Sequence, residues 1–87
     1  MLATKAIDVT ATTNGAGEIV LNGEIPASWT DYTGANATIS GASGMCATAR
    51  RTGPNQITIR VFRQVNGIVE LYANTQLSVF LSMFGTT

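Results

Sequence analysis

The chain has no histidine, and Cys46 is its only cysteine. Those two scarcities remove several chemistries at once. A single cysteine excludes an intrachain disulfide. One thiolate without imidazoles cannot build a zinc cage. With no histidine, the commonest general base is missing. Cys46 sits between Met45 and Ala47, with no activating neighbour, and reads as a reduced, buried small hydrophobe. Charge is scarce too. Asp, Glu, Lys and Arg make up 11% of the residues, against about 25% in an average soluble domain. The net charge is zero. The only adjacent basic pair is Arg50-Arg51, so no nucleic-acid partner is expected. No apolar run approaches the roughly 18 residues a membrane span needs, and no membrane insertion is expected. The opening MLATKAIDVT lacks the apolar core of a signal peptide.

What is present is apolar and neutral-polar. Hydrophobic residues form 45% of the chain, and Thr, Ser, Asn, Gln and Gly stand where charges usually would. Eighty-seven residues make one domain, residues 1–87. A chain this short buries only roughly two thirds of its unfolded surface. Small domains compensate with disulfides, metals or oligomerisation. The first two are excluded above, so a homo-oligomer is expected.

The pattern is one of strands. Apolar residues alternate with polar ones and turn residues recur at short intervals. Strands are expected at 5–13, 18–22, 37–40, 45–52, 56–64, 68–72 and 76–84. The first two read as a hairpin around Asn14-Gly15-Ala16-Gly17. Gly41 and Gly44 read as a turn or bulge. Gly53-Pro54-Asn55 is a strong turn, and Asn66-Gly67 a type I′ hairpin signal. The expected fold is all-β: a small antiparallel β-sandwich, jelly-roll-like, of about seven short strands.

Two segments stand out as candidate surfaces. The stretch 23–36 carries Pro26, which lacks a ladder donor, and reads as a connection. It holds Trp29 and Tyr32 with Asp31 and Asn36 nearby. Flat rings beside hydrogen-bonding groups suit the faces and hydroxyls of sugars; the same Trp29 also suits a cap over the core. The arginines read as solvated strand residues or as guanidinium groups able to clamp an acidic sugar. The last strand puts Leu77, Val79, Leu81 and Met83 on one face, with Phe80 and Phe84 among serines on the other. Those two phenylalanines suit an oligomer interface or a place over a sheet end or under a loop. The five carboxylates, Asp8, Glu18, Glu24, Asp31 and Glu70, are scattered, so no catalytic residue, metal site or cofactor is expected.

The Thr-rich first strand with NGAGEIVLNG, the pair MCATARRTGPNQITIRVFR, and ELYANTQLSVFLSMFGTT with its ANT link together resemble the small distal β-sandwich domains of bacteriophage tail fibres and receptor-binding proteins. The resemblance covers most of the chain. It implies a non-enzymatic virion domain, made in the host cytoplasm, that is typically a homotrimer. Its role would be assembly and attachment to a host-surface receptor or glycan, alongside other virion proteins. The alternative is a purely structural virion subunit, fibre-associated or capsid-decorating, with no ligand.

Overall fold

Period-two alternation builds every long strand of the molecule. The computed structural model describes residues 1–40 and 45–87. Within them lie seven strands: β1 (Leu2–Thr12), β2 (Glu18–Asn22), β3 (Asp31–Ile39), β4 (Met45–Gly53), β5 (Gln56–Val65), β6 (Ile68–Leu71) and β7 (Gln76–Thr86). They form two antiparallel sheets, a small β-sandwich. Sheet A has the order β1-β7-β3, and sheet B the order β2-β5-β4 with β6 also on β5. From β1 to β4 the chain alternates between the sheets.

The core sits between the two central strands. Ile57, Ile59 and Val61 of β5 face Leu77, Val79, Leu81 and Met83 of β7, with Ile19 of β2 completing the layer. A strand flanked on both edges and covered on one face loses nearly all solvent there, so Ile57, Ile59, Val61, Leu81 and Met83 are 0% exposed. One edge of β5 is shared by β2 and then β6. The handover is at Val61, whose N–H donates to the Gly17 carbonyl at 2.9 Å and whose carbonyl accepts from Tyr72 N–H at 3.0 Å. Gly17 is required there. Its φ is +73°, and a Cβ would lie 3.1 Å from Leu71 Cβ and 3.2 Å from Tyr72 N, a left-handed and crowded position open to glycine alone.

Several expectations hold and several do not. Asn66 and Gly67 have φ of 52° and 79°, the double positive of a type I′ turn joining β5 to β6. The first two strands, by contrast, are not a hairpin. β1 pairs with β7 along its whole length, from Leu2 opposite Thr86 to Thr12 opposite Gln76, whereas β2 pairs with β5. Side chains at the crossing explain the change. The Asn14 carboxamide oxygen accepts from Ala16 N–H at 2.9 Å and Glu18 N–H at 3.0 Å, turning the chain towards the other sheet. The buried Thr13 hydroxyl donates to the Tyr72 carbonyl at 2.6 Å and accepts from Thr75 N–H at 3.0 Å, tying the end of β1 to the link before β7.

The strand expected at 37–40 begins much earlier, at Asp31, so Tyr32 and Asn36 are strand residues rather than loop residues. A bulge between Tyr32 and Gly34 disguises the alternation. Cys46 is exposed, not buried. Met45, Ala47 and Ala49 pack against the core instead, which leaves Cys46 opposite Phe62 on the outer face of sheet B. The turn or bulge at Gly41 and Gly44 lies outside the described residues.

Phe80 and Phe84 stand on the outer face of sheet A. Phe80 lies between Asp8 and Thr38, and Phe84 between Thr4 and Gly34. These neighbours are short, so Phe80 remains 44% exposed, while Phe84 is half-buried.

Candidate functional site

One end of the sandwich carries a cleft of about 180 Å³ between the β2–β3 connection and the β4–β5 turn. Pro26 ends the strand-like stretch, and Trp29 N–H closes a turn onto the Pro26 carbonyl at 3.1 Å. Thr30 then docks on the end of β7: its N–H donates to the Thr86 carbonyl at 2.7 Å and its hydroxyl to the same oxygen at 3.1 Å. The opposite wall is Gly53-Pro54-Asn55. Asn55 joins the walls, its Oδ1 accepting from Ile25 N–H at 2.9 Å and its Nδ2 donating to the Ile25 carbonyl at 3.3 Å. Its own carbonyl accepts from Gly23 N–H at 3.0 Å. An amide that satisfies both polar groups of another residue fixes register as a strand pair does.

Trp29 is placed at the core as a cap would be, and it also borders the cleft. Its ring lies on Gly85, where a Cβ would overlap both the indole and the Asp31 carbonyl. Asp31 and Tyr32 line the same cleft. Asn36 does not join them: it is opposite Ser82 on sheet A and exposed, displaced by the strand that replaces the expected loop. Two further residues, Arg51 and Asn55, complete the cleft. Their signal was present in the sequence, an arginine pair running into a Gly-Pro-Asn turn, but nothing local says which loop such a turn will meet.

The charges are unevenly used. Glu18 pairs with Arg60 at 3.1 Å, Glu24 with Lys5 at 3.5 Å, and Glu70 with Arg63 at 3.7 Å. Arg63 also lies 5.3 Å from the centre of the Tyr72 ring, a cation–π distance. Among the described residues, Asp31 and Arg51 have no ion-pair partner within 4 Å. Arg51 is instead held along its own turn, Nε donating to the Gly53 carbonyl at 3.0 Å and Nη2 to the Pro54 carbonyl at 2.8 Å. The Tyr32 hydroxyl is buried and makes no hydrogen bond among the described residues. Burial pushes its pKa above the ordinary 10.0, and the Arg51 charge pulls it back in part. The cleft thus brings together the Trp29 side chain and a guanidinium oriented by its own turn.

No family model, curated protein or solved structure matches the chain.

Proposed function

We propose that the chain is a non-enzymatic, tail-fibre-type phage virion subunit that assembles through the outer face of sheet A. The observation that carries this reading is Phe80, 44% exposed in the middle strand of a sheet. Its strand neighbours on that face are Asp8, Thr38, Ser78 and Ser82. Apart from Asp8, the side chains around this central aromatic are short and uncharged, and an exposed aromatic in such company suits the core of an interface. Low total charge and the absence of a disulfide support the same reading, because a domain this small gains stability by self-association. The resemblance of its sequence to distal fibre domains favours a trimer and a place in the phage particle.

The cleft supports the attachment side of the proposal over a purely structural subunit, since Arg51, without an ion-pair partner among the described residues, lines it beside Trp29. Sedimentation equilibrium is the test. The wild-type protein is expected to be oligomeric at micromolar concentration, and Phe80→Asp monomeric with an unchanged circular dichroism spectrum. A wild-type monomer would overturn assembly; an intact oligomer in Phe80→Asp would move the interface elsewhere.

A further inference from the structure

We propose that the cleft at the end of the sandwich binds a single hexuronic-acid residue, with Arg51 holding its carboxylate and Trp29 the face of its ring. This rests on the attachment reading of that cleft. Arg51 carries the argument. Its Nε and one Nη2 hydrogen are committed to the Gly53 and Pro54 carbonyls, which orients the plane of the guanidinium. The end-on fork, one N–H from each terminal nitrogen, has no partner among the described residues. That fork matches the two oxygens of a carboxylate.

Trp29 supplies the second half. Its side chain lines the same cleft, and an indole suits the C–H face of a sugar ring. The Asn55–Ile25 bonds hold both walls in place before binding, so little ordering is lost. A volume of about 180 Å³ suits one ring rather than a chain of them. The charges are solvent-exposed, so a single site is weak, and multiple copies on an oligomer would supply avidity.

The test is amide and indole NMR of the labelled protein, titrated with D-glucuronate, with D-glucose, and with β-alanine as a ringless zwitterion. Glucuronate is expected to shift the Trp29 indole N–H and the Asn55 backbone N–H. Its affinity should exceed that of glucose by about tenfold, the worth of one charge-assisted pair. Arg51→Gln should bring glucuronate down to the glucose level, and Arg51→Lys should keep part of the preference. Equal affinity for the two sugars, tighter binding of β-alanine, a preference surviving Arg51→Gln, or no shift with glucuronate would each overturn the proposal. Sedimentation of the same samples separates the two proposals. Glucuronate binding by a monomeric Phe80→Asp would support the cleft independently of assembly. An oligomer that ignores glucuronate would sink the cleft proposal alone.

Discussion

The centre of the sandwich and its loop end are held together by different physics. At the centre, β5 and β7 bring seven aliphatic or methionine side chains face to face, and burial of apolar surface stabilises the contact without directional requirements. At the loop end, the walls meet through Asn55, Thr30 and the Trp29–Gly85 contact. Each of these depends on one atom or one missing atom. The centre therefore tolerates exchange of one aliphatic for another of similar volume, whereas the loop end depends on particular residues.

The largest effect is expected at the centre. Leu81 is 0% exposed and stands opposite Ile7 on β1 and Ala37 on β3. Leu81→Ala removes its contacts and leaves a cavity, a loss of about 2–5 kcal/mol. For a domain this small that is a large part of the total. Urea denaturation should show a lower midpoint with an unchanged slope. Leu81→Met, which nearly conserves volume, should cost less than about 1.5 kcal/mol. If the two variants were equally damaging, the core would be more exacting than an apolar layer.

The second effect lies where the two regions meet. Gly85 is buried on β7, and a Cβ there would overlap the Trp29 ring and the Asp31 carbonyl. Gly85→Ala must displace both. The Asp31 carbonyl is backbone, so the cost is expected at the upper end of the roughly 1–3 kcal/mol of overpacking, with the indole pushed outward as well. The readout is tryptophan emission, from the single Trp29. A red shift in Gly85→Ala, absent from Leu81→Ala under native conditions, would place the disturbance at the loop end. Unchanged emission would mean that the strand moves and the ring does not.

The two regions also differ in how far the sequence reveals them. Alternation at 56–64 and 76–84 is local information, and β5 and β7 appear close to where it puts them, with the expected faces inward. The Asn66-Gly67 turn is equally local. Pairing is not. Thr13 and Asn14 decide between a hairpin and a crossing by bonding to groups that include residues about sixty positions away, so β1 was assigned the wrong partner. At the site, Trp29, Asp31 and Tyr32 are close in sequence and were recognisable together. Arg51 and Asn55 join them only because β4 and β5 bring their turn to that end. Asn36 was misplaced, and β3 missed in its first half, because Pro26, Gly34 and the bulge hide its period. Cys46 reads as buried from its neighbours along the chain, yet it stands exposed. Met45, Ala47 and Ala49 are its neighbours in sequence, but in a strand they occupy the opposite face.

The smallest effect sharpens the comparison most, because it concerns a polar atom on the border between core and cleft. Tyr32 packs against the core, and its hydroxyl is buried without a partner among the described residues. An unsatisfied buried hydroxyl carries a desolvation cost with no hydrogen bond to offset it. Tyr32→Phe is therefore expected to leave stability at neutral pH unchanged or slightly raised, against the usual loss for a core substitution. The pH dependence gives the sign. Burial raises the folded-state pKa of Tyr32 above 10.0, so above that pH the unfolded chain releases this proton while the folded chain retains it. The folded state then binds more protons, and stability falls as pH rises. Below pH 10.0 the tyrosine is neutral in both states and its contribution is constant. Denaturation of both proteins at pH 7 and at about pH 10.5 checks this, since one tyrosine with a raised pKa tips stability only in that alkaline window. The wild-type protein should lose more stability across the interval than Tyr32→Phe. Parallel losses would mean that the phenol reaches water and belongs to the cleft rather than the core. A clear loss in Tyr32→Phe at pH 7 would mean that the hydroxyl has a partner after all.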